Sequence, residues 1–425
     1  MEKELSKSKN RGDKLMKILV SGPLLSMSGY GQHARQVLEF VLDEYRNEEI
    51  YCDVKQWGNT NWNLCSELLP EGVFNRIVET FISENDVLKL KEDKQVFDTT
   101  YQICFPSEWD TSLSNNNIGV FAGIESTMCC KKWIDKISAM SKVIVPSQHA
   151  LNSINNACDN YNVKKINTPI TVIPEWFYVD LNESTNGNTH FLNKVKTDNN
   201  LLIISQLNKL DPALDRKNII NTLDGCIQTL SESRENNFGI VLKIFCENNS
   251  LMDFYKTKKI ISSYINIVKS KYKNIPKIYV VHGNLTSNEL SLLYKSEKIK
   301  CIVSGTRGEG FGLTLLEAAA CGLPIIATNW SAYDEFLDYY LGIDFELVNV
   351  PEELNLRNSP VDEYSNIWVS EAKWAEFDRN SLSRALLKVI NNEHDRDKIA
   401  IQQKTILNKY SKNAIMSIYK KQLGR

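Results

Sequence analysis

Residues Ser304–Pro324 read SGTRGEGFGLTLLEAAACGLP. They follow a buried-strand run, Lys300–Val303 (KCIV), and lead into a helical pattern over 313–321. A strand-to-helix turn of this kind is where an α/β domain presents its ligand site. Gly305, Gly308, Gly310 and Gly312 predict a backbone that a ligand approaches closely. A helix starting near Leu313 turns its free amides and the positive end of its dipole toward that loop, a natural seat for phosphate. Glu317 lies about one turn into the helix, and side chains there lean back toward the N-terminus. Glu309 is eight positions earlier, in the loop. Both carboxylates therefore reach one mouth, and carboxylates beside an anion site accept hydrogen bonds from sugar hydroxyls. The plain alternative is a glycine-rich turn with Glu317 solvated. Leu315-Leu316 before it and Ala318–Ala320 after it argue against that, because a charge in so apolar a helix serves something.

Outward from this run, short apolar stretches alternate with amphipathic ones, the pattern of parallel sheets flanked by helices. In the first half Lys17–Ser21 (KILVS), Ile118–Ala122 and Val143–Val145 are strands, and Ser147 caps the helix after the third. Residues 51–117 carry few clear periods. A second unit begins near residue 200 with Leu201–Ser205, followed by Ile240–Phe245, Lys277–Val281 and Pro324–Ala327. Its helices fall at 218–231, 252–270, 287–296 and 313–321. The polar segment Asn182–Asn200 stands between the halves as a linker or surface excursion. The domain reading is thus a leader over 1–15, a first domain over 16–182 and a second over 183–408. An amphipathic C-terminal helix, 409–425, crosses back to the first domain.

With 425 residues, two cores are the prior. Formal net charge is −2, so no global positive field recruits nucleic acid or acidic lipid. The ten cysteines form no Cys-x-x-Cys pair and histidine is scarce, which argues for free thiols in a reducing cytoplasm and against a structural zinc site. No apolar run approaches the roughly 20 residues that span a bilayer. The charged start MEKELSKSKNRGDKL lacks the apolar core of a secretory signal and reads as a disordered leader, a short basic tether being the sharper alternative.

The run from Glu309 to Pro324, two glutamates eight apart with Gly-Phe-Gly between them and a following Ala-Cys-Gly-x-Pro, resembles the donor-site signature of retaining glycosyltransferase family 4. Members have the GT-B fold, α/β with two Rossmann-like doubly wound domains facing across a cleft. The resemblance extends, more weakly, over about residues 16–425. It implies that Glu317 holds the ribose hydroxyls of the donor and Glu309 the sugar hydroxyls. The backbone of Gly310, Phe311, Gly312 and Leu313 would line the sugar and diphosphate. Asp215-Arg216-Lys217, ahead of the 218–231 helix, matches the family's phosphate cations, although Gln206 stands where a further arginine is common. A solvated pair at a helix start is the plain alternative for Arg216 and Lys217, one that opposes the helix dipole.

Ser28-Gly29-Tyr30-Gly31 after the first strand matches a family loop near donor phosphate and acceptor, with a simple tight turn as its rival. His33, just inside the helix, is read as packed or at the surface rather than catalytic. Phe121–Thr127 ends a strand at the cleft, and Glu125 stands where the family places an acidic residue near the reacting sugar, with Ile124 in place of the common histidine. For Glu125 the plain reading is the neighbour of a helix N-cap.

The expectation is transfer of a sugar from a nucleoside diphosphate to an acceptor hydroxyl with retention of configuration. Catalysis comes from positioning and from stabilising the leaving diphosphate, with no cofactor and no metal. Rival readings are a nucleotide-sugar epimerase of the same shape, which needs a base and no second substrate, and a non-catalytic sugar or nucleotide binder. The nucleotide-sugar donor is the one partner the residues imply. The acceptor, whether glycan, lipid-linked saccharide, protein or modified nucleic acid base, stays open.

Overall fold

The computed structural model describes residues 15–57, 60–92, 97–163, 166–181, 190–207, 211–233, 237–247, 250–356 and 367–424. The leader expected over 1–15 lies outside the described residues except for Leu15, and so does the 182/183 domain boundary.

The first domain is a six-stranded parallel sheet. Its strands are β1 (Lys17–Gly22), β2 (Glu49–Val54), β3 (Phe97–Ile103), β4 (Ser114–Val120), β5 (Lys142–Val145) and β6 (Ile170–Val172). They lie in the order β2-β1-β3-β4-β5-β6. The second sheet is also six-stranded and parallel. It comprises β7 (Asn199–Gln206), β8 (Phe238–Phe245), β9 (Lys277–His282), β10 (Ile299–Ser304), β11 (Ile325–Thr328) and β12 (Leu341–Ile343). Their order is β12-β11-β10-β7-β8-β9. An antiparallel ribbon, β13 (Phe345–Asn349) with β14 (Lys373–Phe377), completes it.

Both are doubly wound, since the chain leaves the first strand in one direction and later returns past it. The direction reverses between β1 and β3 in one sheet and between β7 and β10 in the other. Helices leave opposite faces at such a point, so a crevice opens outside the carboxyl ends of the two strands. This arrangement is the GT-B fold.

Apolar runs within strands buried on both faces make much of each core. Ile18, Leu19 and Val20 are fully buried in β1, and Leu201 and Leu202 in β7. The second domain has one cluster on each face of its sheet. Residues 51–117, without a clear period in the sequence, hold the end of β2, the short helices Trp62–Leu68, Glu71–Thr80 and Glu84–Glu92, and β3. A single buried anchor fixes each helix, Cys65, Ile77 and Val87 in turn, too few to leave a periodic trace. The stretch 190–200, expected as linker, belongs to the second domain: Leu192 and Val195 are buried in its core and β7 begins at Asn199.

The chain crosses between domains twice. Over 173–181, Trp176 is buried in the first core and Val179 in the second. Buried Gln36 grips the backbone on both sides of Trp176, donating to its carbonyl at 2.9 Å and accepting from its N–H at 3.1 Å. At the other end, helix Arg396–Lys409 buries Ile406 in the second core. Helix Lys412–Leu423, capped by Ser411, then lays Ile415 and Tyr419 on the first.

Candidate active site

After β7 the chain runs to Asp215-Arg216-Lys217, and after β10 to Gly305–Leu313, so the second sheet's reversal point presents both segments together. Asp215 is buried and caps the next helix by accepting from the N–H groups of Lys217 and Ile219 at 3.1 and 2.8 Å. That cap fixes the two cations ahead of the helix. Lys217 Nζ donates to both carboxylate oxygens of Glu309, at 2.7 and 2.9 Å. Arg216 Nη1 donates to the Gly308 carbonyl at 2.6 Å and lies 3.4 Å from Glu309, while its Nη2 lies 3.1 Å from Glu125 of the first domain. Thr306 Oγ1 donates to Glu309 at 3.0 Å. Burial pushes the Glu309 carboxyl up, but Lys217 and Arg216 outweigh it and hold the group at about 2.

Glu317 is on the same helix start yet in a different environment. It is 4% exposed, hydrogen-bonded to the Gln32 side chain of the first domain and the Tyr178 N–H of the connector, and its Oε1 has no partner. Burial raises its carboxyl to about 7, partly countered by those hydrogen bonds and by the charge of Lys243. The two acids thus stand in opposite states. Glu309 is an ion-paired carboxylate, whereas Glu317 titrates near neutrality.

The glycines separate by role. Gly312, in the left-handed region at φ +99°, ends the loop and starts helix Leu313–Ala320. A Cβ on Gly308 would fall 2.1 Å from the Glu125 carbonyl, and one on Gly310 2.0 Å from the Ala122 carbonyl. Expected to admit a ligand, these two glycines admit the backbone of the first domain, because the loop that carries Glu125 is pressed against them. Gly31 is occupied by its own turn, where a Cβ would meet the Ser26 carbonyl at 1.9 Å, whereas Gly29 is exposed and faces Leu313 across the cleft. Phe311 packs its ring into the second core against Phe336, leaving only its backbone at the site.

Glu125 adjoins no helix start, the next helix beginning at Lys131. Its ion pair with Arg216 joins it to the cluster instead. His33 is fully buried, and burial lowers its ring to about 4. Gln206, where the family often has a cation, donates to the Cys246 carbonyl at 3.1 Å. A cation the sequence did not point to, Lys243 on β8, lies near Glu317 and is lowered to about 8 by burial. Its only sequence signal is a lysine inside the apolar run IVLKIF. Arg35 gave no signal either; nearly fully buried, it donates to the Leu24 and Ser26 carbonyls at 2.8 and 2.7 Å and so shapes the loop after β1. Among the described residues, no group of His, Cys, Asp and Glu is placed to hold a metal ion, and no helix is long and apolar enough to cross a membrane.

The fold is of the GT-B type, and residues 269–340 match the family model described as Glycosyl transferases group 1. Among solved structures the chain is similar to Anabaena HepE in complex with UDP and glucose, with 12% identity, a TM-score of 0.59 and coverage of 96% of this chain and 99% of that one. Trehalose 6-phosphate synthase from Burkholderia multivorans matches with 8% identity, a TM-score of 0.58 and coverage of 96% and 97%. The pneumococcal O-GlcNAc transferase GtfA matches with 15% identity and a TM-score of 0.47; the match covers 79% of this chain and 58% of that longer one. No curated protein matches the sequence.

Proposed function

We propose that this chain is a glycosyltransferase that moves a sugar from a nucleoside diphosphate sugar to an acceptor hydroxyl with retention of configuration, as in glycosyltransferase family 4. The observation that carries the reading is the cluster at the reversal point of the second sheet, where Arg216 and Lys217 meet Glu309 within one turn of the N-terminus of the helix that carries Glu317.

The donor diphosphate takes the cations. Before it binds, Glu309 and Glu125 hold Arg216 and Lys217 in place and compensate their charge. When the phosphates arrive they take over those hydrogen bonds, and Glu309 turns its freed oxygens to the sugar hydroxyls. Glu317, with one oxygen unpartnered, accepts the ribose hydroxyls. As the glycosidic bond breaks, negative charge grows on the leaving diphosphate, and fixed cations in a half-buried cleft stabilise it with little reorganisation. The amides of Gly312 and Leu313 at the helix start add to that field. The backbone at Gly29 lies opposite Leu313 and closes the donor site from the first domain. Since two side-chain cations already face the diphosphate, the reaction proceeds without a metal or other cofactor. Ten unpaired cysteines, eight of them buried, support a reducing, cytoplasmic setting.

The test is a melting-point screen against UDP-, GDP-, ADP- and TDP-sugars, since a true donor stabilises the fold by mass action. One nucleotide-sugar raises the melting temperature of the wild type and none raises that of Glu317→Ala. An equal shift in both proteins removes Glu317 from the donor site. The anomer of the product, read by NMR, decides retention, and activity in EDTA decides the metal.

A further inference from the structure

Three half-buried aromatic rings stand at the other reversal point, between β1 and β3 of the first sheet. Tyr30 comes from the helix after β1, Trp57 from the segment after β2 and Phe105 from the turn after β3. The Trp57 and Phe105 rings are 4.7 Å apart at 62°, and Tyr30 packs on both at 5.0 and 5.5 Å. Fully buried Trp133 stacks beneath Phe105 at 5.5 Å and 28° as a floor. The backbone fixes the rings as well. Trp57 N–H donates to Thr60 Oγ1 at 3.0 Å, and Phe105 N–H donates to the Glu108 carboxylate at 3.0 Å. Large rings of a core are ordinarily covered, as Trp109 and Trp133 are here; these three are only half-buried, at the crevice where an α/β domain binds a ligand.

The rings also adjoin the charged cluster. Tyr30 Oη accepts the Ala122 N–H at 3.3 Å, three residues ahead of Glu125, which is paired to Arg216. The Glu125 charge helps raise the Tyr30 phenol, after burial. Resting on the transfer reaction proposed above, we propose that Tyr30, Trp57 and Phe105 form the acceptor subsite, that the acceptor is an uncharged glycan, and that one pyranose ring stacks on Trp57, whose ring Tyr30 and Phe105 hold in place, with a hydroxyl directed at Glu125.

The chemistry selects a sugar over a polyanion. A pyranose presents a face of polarised C–H bonds that suits the negative face of an aromatic ring, while its hydroxyls seek carboxylates. Glu108 and Glu125 lie close enough to act on the Tyr30 phenol. Among the described residues, the nearby cation Lys55 is engaged by Asp53 at 2.9 Å and Arg216 by Glu125, so neither is spare for a phosphate backbone.

The full chain with UDP present, applied to an array of neutral, phosphorylated and sulfated glycans and to single- and double-stranded oligonucleotides, tests this. Neutral glycans are retained, Trp57→Ala and Phe105→Ala lower their retention at least tenfold, and Trp57→Phe stays within threefold of wild type. The melting shift with the donor nucleotide-sugar reports that each variant is folded. Retention of oligonucleotides or charged glycans in place of neutral ones, retention of nothing, or indifference to Trp57→Ala overturns the subsite. If no nucleotide-sugar shifts even the wild type, the transferase reading fails, while the array still decides the aromatic site.

Discussion

At the carboxyl ends of β7 and β10, Arg216, Lys217, Glu309 and Glu125 meet at 2.7–3.4 Å, whereas at the ends of β1, β2 and β3 three rings meet at 4.7–5.5 Å. Both places are reversal points of a parallel sheet, so topology supplies each with a crevice and says nothing about its chemistry. The side chains decide that. Charges fixed before the substrate arrives act on charge that develops in the transition state, and so act on rate. Rings offer area that is the same before and after transfer, and so act on affinity. If that division holds, damage to the two crevices appears in different kinetic constants.

The largest effect belongs to the charged side. Lys217→Ala is expected to slow acceptor-dependent nucleotide release by about 10²–10³-fold, the scale of losing one fixed stabilising group, with the acceptor KM little changed. Steady-state kinetics with saturating donor decides it. A loss below tenfold, or one that appears mainly in the acceptor KM, breaks the division between the crevices.

The two crevices also differ in how openly the sequence displays them. The second is written in one contiguous run: the glycines, Glu309 and Glu317 sit within the thirteen residues 305–317 of a strand-turn-helix, and local chemistry alone points to a sugar nucleotide. Arg216 and Lys217 stand out because two cations before a helix oppose its dipole. Tyr30, Trp57 and Phe105 are spread over 76 positions, and each alone is an ordinary core aromatic. Only the order β2-β1-β3 makes them neighbours. The roles of Gly308 and Gly310 were hidden for a related reason, since the backbone they make room for belongs to the other domain. Lys243 shows the limit of periodicity. A strand buried on both faces has no polar phase, so one lysine in it gives no sign of where it points.

A smaller effect lies in the buried acids between the crevices. Glu175 on the connector is 3% exposed. Burial, then the neighbouring charge of Glu317, raises its carboxyl to about 8; its Oε1 lies 4.0 Å from the buried, neutral His33, and the Tyr419 hydroxyl approaches that ring from the returning helix. A carboxyl raised on folding binds its proton more tightly in the native state. Its contribution is therefore fully present below the unfolded value near 4.5 and is lost as pH rises through about 8. A rise of that size in proton affinity corresponds to about 4–5 kcal/mol as an upper bound. Glu175→Gln removes the titrating group, so the variant is expected to match wild type in urea unfolding at pH 5 and to exceed it at pH 8.5. Parallel curves for the two proteins across that range mean that Glu175 ionises freely and that the junction between the domains is wet.

The smallest effect concerns the joint between the crevices. Ser147 Oγ is fully buried; it accepts the Ala150 N–H at 3.1 Å as a helix cap and donates to the Gly310 carbonyl at 2.7 Å across the cleft. The first bond lies within one domain and is present whatever the domains do. The second exists only while the loop holding Gly310 rests on the first domain. Loss of the cap alone costs about 1 kcal/mol, and that cost is the same with and without nucleotide. Loss of the bridge frees the Gly310 carbonyl from its buried donor and loosens the loop that lines the proposed donor site, so Ser147→Ala is expected to weaken donor affinity a few-fold in addition. Urea unfolding and donor titration on the same variant separate the two contributions. A stability loss with donor affinity unaltered reduces Ser147 to a cap and leaves the Arg216–Glu125 ion pair and the contacts of Gly308 with Glu125 and Gly310 with Ala122 to join the charged crevice to the aromatic one.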